Sequence, residues 1–282
     1  MTATKMPQRV RAGHVAWVGE RLSERDWKIL EAVNSLHLVT GWQLDRLFFP
    51  DLSGRSRIVT RSRSLSRLTS WRVLHRLPRR IGGAMRGSSV AVYSLGSAGQ
   101  RLLVQRRNGA EKPPFVRKSS VLSERFVAHI VAVSELYVQL VEAQRVGQLV
   151  LRQFTTEPAA WWPNGRGSWL KPDVFLVTSN GRVDQLWWVE VDRATESLPT
   201  IARKLRTYLD FVNRGGIGPR GGIPRVLVSV PPEARRTAVA RLVASLPSPA
   251  DELVMVVVQD EAVVRMVAAL EPAVSINHGE AS

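Results

Sequence analysis

The sequence predicts an α/β (α+β) fold in two parts, a group of helices ending in a β-hairpin followed by a mixed sheet covered by helices. Three observations carry that prediction. The formal charge of +16 sits wholly in the first part: residues 1–120 hold 23 Lys and Arg against 7 Asp and Glu, whereas residues 121–282 hold 17 of each. Helical spacing over residues 23–70 gives way to strand-like alternation over residues 73–95. Beyond residue 119, apolar runs of strand length alternate with amphipathic helical stretches.

Composition bounds the rest. With 282 residues, 44% of them hydrophobic, and nine Trp, the chain can bury one large core or two ordinary ones. The absence of cysteine excludes disulfides, thiolate zinc sites, iron–sulfur clusters and a cysteine nucleophile, and it fits a cytoplasmic location. The longest unbroken apolar runs, such as Leu253 to Val258, fall short of the roughly 20 residues that span a bilayer, so no membrane partner is expected. A basic start, Met1 to Arg11, with no long apolar stretch behind it argues against a secretory signal.

The first part divides as follows. Residues 1–20 show little periodicity and read as a basic arm. Ser23 caps a helix in which Asp26 stands three residues on and Trp27, Ile29, Leu30, Val33 and Leu36 follow at helical spacing. Thr40 caps a second, short helix containing Leu44, Leu47 and Phe48 and ending before Pro50. A third helix, Gly54 to about Ser70, puts Ile58, Leu65 and Leu68 on one side when wound at about 100° per residue. Ser56, Thr60, Arg63 and Arg67 then occupy the opposite side, flanked by Arg55, Arg57 and Arg61. Residues 73–81 and 88–95 form the hairpin, and residues 97–105 a closing helix.

Three helices and a hairpin, spanning residues 21–108, are the order of a winged helix-turn-helix. No acidic residue occurs between Leu52 and Ala110. A merely soluble surface mixes signs, so this one implies a polyanion, and double-stranded DNA is the expected partner. The exposed row Arg55, Ser56, Arg57, Thr60, Arg61, Arg63 and Arg67 suits a major groove. Arg79, Arg80 and Arg86 on the wing suit phosphates or the minor groove.

Residues 109–118, with Pro113-Pro114, read as a linker. The second domain, residues 119–275, opens on a long helix with the stripe Phe126, Ile130, Val133, Tyr137 and Leu140. Strands are expected at 149–155, 173–178, 186–192, 225–230 and 253–259, with helices at 198–213, 233–246 and 261–270; residues 276–282 are a tail. Chemistry concentrates in Asp173, Glu190 and Asp192. Side chains alternate along a strand, so Glu190 and Asp192 share a face about 7 Å apart. Carboxylates on neighbouring strands repel unless a cation lies between them, and oxygen ligands of this kind suit Mg²⁺ or Mn²⁺. On the following helix Lys204 borders the buried stripe and can reach back, either as a structural ion pair or to position an attacking water. Trp161-Trp162 is the loop pair best placed to stack on unpaired bases.

Lys171-Pro172-Asp173, the string Glu190-Val191-Asp192-Arg193-Ala194-Thr195-Glu196, and Lys204 with Tyr208 together resemble the signature of the replication-relaxation family. The pattern is also similar to the PD-(D/E)xK nuclease fold. The resemblance covers most of the chain and implies a winged helix joined to a restriction-endonuclease-like α/β domain. It further implies a plasmid or integrated mobile element, a role in plasmid replication and DNA relaxation or transfer, and replication or transfer proteins as partners. Asp173 and Glu190 match the nuclease metal ligands, and Lys204 stands in for a lysine whose usual place, two after Glu190, is held by Asp192. A non-catalytic reading also remains: a transcriptional or copy-number regulator whose second domain mediates dimerisation, as a homodimer, or partner binding.

Overall fold

The structure, a computed structural model, describes residues 10–82, 89–107, 122–231 and 233–271. It is an α/β fold that separates into two compact units, residues 1–138 and 139–282. The expected linker, the hairpin tip with Arg86 and the tail lie outside the described residues.

In the first unit, helix α1 (Ala12–Gly19) is followed by α2 (Glu24–Leu36), the short strand β1 (Val39–Thr40), α3 (Gly41–Phe48) and α4 (Gly54–Ser70). Strands β2 (Leu74–Gly82) and β3 (Ser89–Leu95) then form an antiparallel pair, and α5 (Ser97–Arg106) follows. The sheet order is β1-β3-β2. Ser23 and Thr40 each close a capping box, with Asp26 and Gln43, so both helices begin where their hydroxyls dictate. Between Arg76 and Arg80 the hairpin register shifts; Pro78, which has no N–H to give to a ladder, lies within that irregularity. Gly99 lets α5 lie close on β2, since a Cβ there would come 2.4 Å from the Val73 carbonyl oxygen.

Three expectations are corrected. Residues 12–19, read as part of a basic arm, are the helix α1, whose Val15 and Val18 are fully buried. Two anchoring valines in an eight-residue helix are too few to establish a period in the sequence. Ile58 is 57% exposed, because only the second half of α4 packs on the core, through Leu65 and Leu68. The long helix α6 (Glu124–Arg145) buries Val127, Ile130 and Val133, while Phe126, in its first turn, lies exposed.

The boundary between the units falls inside α6, and the part of α6 before it belongs to the first unit. Ser134 donates to the Leu38 carbonyl at 2.7 Å, and Gln43 donates to the Val131 carbonyl at 3.0 Å. Arg46 closes on Glu135 at 2.5 Å. Val127 and Ile130 join Leu38, Leu77 and Val92 in one apolar cluster. By length and composition α6 could cross a membrane, with mean hydropathy 1.4 over 18 residues, although half of that stretch is buried within the protein.

The second unit is built on a five-stranded sheet of order β10-β9-β8-β7-β4. Its strands are β4 (Val150–Thr156), β7 (Val174–Ser179), β8 (Asp184–Val191), β9 (Arg225–Val230) and β10 (Val254–Val258). A two-stranded ribbon, β5 (Trp162–Pro163) with β6 (Trp169–Leu170), lies between β4 and β7 in the chain. Pairing is antiparallel from β4 to β8 and parallel from β8 to β10, a mixed sheet. Helices α7 (Leu198–Asn213) and α8 (Glu233–Ala244) cover one face, and the short α9 (Ala250–Leu253) and α10 (Ala262–Ala268) complete the unit. The core under α7 and α8 joins Phe175, Val177, Trp188, Val226 and Val228 to Ile201, Leu205, Tyr208, Leu209, Val239 and Val243. Trp187 points to the other face, fully buried, with its indole N–H donated to Thr178 Oγ1 at 3.0 Å.

Candidate functional site

The strand register of the second unit gathers its acids. Thr156 pairs with Val174, and Val174 pairs with Val189. One residue further along each strand brings Glu157, Asp173 and Glu190 abreast, on the face that carries Phe175 and Trp188. Backbone bonds continue to that row: Glu157 N–H donates to the Asp173 carbonyl and Asp173 N–H to the Val189 carbonyl, both at 3.0 Å. A carboxylate oxygen of Glu157 and one of Asp173 lie within 4.8 Å.

Glu190 and Asp173 are nearly fully buried. Lys204 Nζ lies 2.7 Å from Glu190 Oε2, and the Tyr208 hydroxyl donates to Glu190 Oε1 at 2.6 Å. Lys204 and Tyr208 are four apart on α7, so one helical face presents an ammonium and a phenol to one carboxylate. The helix is aimed there by Ser197, whose hydroxyl accepts from the Thr200 N–H, with Pro199 in its first turn. Burial pushes the Glu190 carboxyl up to about 7, helped by the charge of Asp173 and opposed by Lys204 and Tyr208. Burial works against the Lys204 ammonium, but Glu190 and Asp173 outweigh it and hold its pKa above the ordinary lysine value. The Tyr208 hydroxyl is raised well above its ordinary value by burial and by Glu190.

Asp192 is held by partners other than Lys204 and Tyr208. Its Oδ1 accepts from the Ala194 N–H at 2.9 Å, and its Oδ2 accepts from Arg235 Nε at 2.6 Å. Arg235 also donates to the Glu196 carbonyl at 2.6 Å. One guanidinium on α8 thus fixes the loop that leaves β8, where Ala194 adopts φ 57°. Asp173 Oδ2 accepts from the Val191 N–H at 2.7 Å, which fixes its carboxylate against β8.

The residues expected together therefore do converge: Asp173, Glu190 and Lys204 form one cluster, with Asp192 beside it and held by Arg235. The donor set of Asp173 and Glu190 is all oxygen and suits a small divalent cation. Sequence reasoning missed Glu157 and Arg235. Glu157 was legible in principle, because it directly follows β4 and the antiparallel register brings it opposite Asp173. Arg235 carried no local signal, since it lies on another helix. Of the loop tryptophans, Trp162 donates its indole N–H to the Ile217 carbonyl at 3.0 Å, and Lys171 Nζ sits 4.7 Å over the Trp161 ring.

On the first unit the predicted arginine row splits. Arg57 Nε and Arg61 Nη1 lie 2.9 and 3.6 Å from the carboxylate of Asp45, a buried residue on α3. Arg67 donates to both oxygens of the buried Asp26, at 2.6 and 2.8 Å. These three arginines tie α4 to α3 and α2. Arg55, Ser56 and Arg63 are exposed and Thr60 is half-buried; among the described residues Arg55 and Arg63 have no ion-pair partner. Arg79 and Arg80 fall on β2.

No curated protein and no solved structure matches the chain. The family model described as replication-relaxation matches residues 30–226, a span that runs from α2 through the acid row and the α7 contacts to β9. A match of that extent covers well over half of the sequence, and the chain belongs to the replication-relaxation family.

Proposed function

We propose that this chain is a DNA-binding protein of a plasmid or integrated mobile element, working in the cytoplasm in replication and in DNA relaxation or transfer. In this reading the first unit is a winged helix-turn-helix that holds duplex DNA. Helix α4 enters the major groove through Arg55, Ser56, Thr60 and Arg63, and the β2–β3 hairpin serves as the wing with Arg79, Arg80 and Arg86. The observation that carries the reading is the pair Arg55 and Arg63, exposed and without an ion-pair partner among the described residues, while Asp26 and Asp45 are already engaged by Arg67, Arg57 and Arg61. Titrating the full chain with a duplex over a range of salt tests it. If about five phosphates are neutralised, log affinity falls against log salt with a slope of about −4 to −5; a slope near zero removes the reading.

A second reading concerns the acid row. Convergence of Asp173, Glu190 and Lys204 favours a PD-(D/E)xK-like, metal-dependent endonuclease or nickase. Asp173 and Glu190 would hold Mg²⁺ or Mn²⁺, which supplies a nucleophilic water for phosphodiester cleavage, and Lys204 would orient the attack. Supercoiled plasmid incubated with the protein and Mn²⁺ is the assay. Nicking lost in Glu190→Ala supports this site, and nicking that survives the substitution excludes it as the source. Replication or transfer proteins and a second copy of the chain are the partners this role implies.

A further inference from the structure

The first unit contains a cleft of about 950 Å³ that none of the candidate site residues above line. Arg11, Ala12 and His14 at the start of α1, Ser70 and Arg72 at the end of α4, and Arg101 on α5 form its wall. Three guanidinium groups share this concavity, and no carboxylate is among the described residues that line it.

The cleft is built rather than incidental. Arg101 is half-buried and donates through Nη1 to the Val10 carbonyl, and His14 Nε2 donates to the Trp71 carbonyl at 3.0 Å. Arg72 takes φ 59°, a left-handed backbone that a non-glycine residue adopts at a cost. Its carbonyl accepts the Ala98 N–H at 3.0 Å, which helps hold that turn in place. Arg11 and Arg72 are exposed at the rim. The amino end of α1 opens into the same space with neither a side-chain cap nor an acid in its first turn, so its N–H groups add to the positive field.

Guanidinium groups gathered around one concavity attract an anion. Guanidinium forks match a phosphate in two hydrogen bonds at a time. We propose that this cleft is a phosphate-binding site, occupied in the DNA complex by a phosphodiester of the duplex. Arg55 and Ser70 lie near opposite ends of α4, about 22 Å apart at 1.5 Å per residue. The cleft therefore engages a phosphate beyond the reach of Arg55. The duplex as occupant rests on the DNA-binding reading above; the phosphate chemistry does not.

The test uses the full chain, wild type and Arg11→Gln/Arg72→Gln, titrated calorimetrically with pyrophosphate and with a 20-base-pair duplex. Arg101 is left alone because it holds Val10. Wild type should bind pyrophosphate, and the double variant should bind it at least tenfold more weakly with an unchanged melting temperature. The duplex salt slope should fall by about one in the double variant, and by a measurable part of that in Arg11→Gln alone, which carries the test should the double variant fold poorly. Pyrophosphate binding lost in the variant with duplex affinity and slope unchanged overturns the duplex as occupant in favour of a free phosphate ester. No pyrophosphate binding together with an unchanged slope overturns the site. A chain that binds no duplex yet binds pyrophosphate through Arg11 and Arg72 overturns the DNA-binding reading and leaves the cleft standing.

Discussion

The guanidinium of Arg67 closes on both carboxylate oxygens of Asp26, joining the last turn of α4 to the first turn of α2. Asp26 at the same time accepts the Ser23 N–H at 2.9 Å and the Ser23 hydroxyl at 2.7 Å, so one buried side chain caps a helix and anchors another. Asp26→Ala should cost about 2–3 kcal/mol, from the lost cap and the lost ion pair. Arg67→Ala should cost about 1–2 kcal/mol, discounted because its side chain is 41% exposed. Urea unfolding measures both, and a neutral Asp26→Ala would contradict this assignment.

Arg63→Ala and Arg57→Ala should separate recognition from architecture. Arg63→Ala should lower duplex affinity by about 1–3 kcal/mol and relax sequence preference while leaving stability within about 0.5 kcal/mol. Arg57→Ala removes a partner of buried Asp45 and should act first on the unfolding midpoint. Paired binding and unfolding measurements decide the matter; the reverse pattern would assign the DNA contact to Arg57.

The pH dependence of stability should report Glu190. Its folded-state pKa is raised, from 4.5 to about 7, so folding favours its protonated form. That contribution is fully present below about pH 4.5 and is lost as pH rises through about 7. Wild type should therefore lose stability across this window relative to Glu190→Gln, followed by urea midpoints at each pH. Tyr208→Phe removes a donor that favours the charged carboxylate and should move the step to higher pH, at a cost of about 1–3 kcal/mol for the oxygen left unbonded.

Mn²⁺ titration should distinguish the acids from one another. If Asp173 and Glu190 are ligands, Asp173→Ala and Glu190→Ala abolish the binding heat, whereas Asp192→Asn retains it because both Asp192 oxygens already bond to Ala194 and Arg235. Near neutral pH the binding should also release protons from Glu190, measurable as heats that depend on the buffer. Binding that persists in Asp173→Ala and is lost in Asp192→Asn would reassign the ligands.

Much of this was legible in the sequence because it is local. Helices α4 and α7 begin and end where the sequence puts them, since Thr200 N–H finds Ser197 and the chain breaks on either side of α4. Strand β9 is likewise read to the residue, from a run of alternating buried valines and a leucine. What escaped depends on distance. That Arg57, Arg61 and Arg67 answer to Asp45 and Asp26 cannot be seen from α4 alone, because those acids stand on other helices and an exposed arginine reads the same as a paired one. Arg235 meets Asp192 across 43 positions, and no periodicity announces such a meeting. The place of α6 was missed because its first half completes a core that begins almost a hundred residues earlier, at Leu38.

Glu190 takes both of its partners from α7, Lys204 on one oxygen and Tyr208 on the other. The second unit thus carries the counterion of Glu190 within its own fold. If the acid row holds a metal, removing it with a chelator should leave the unit folded, because Lys204 and Tyr208 hold Glu190 without it.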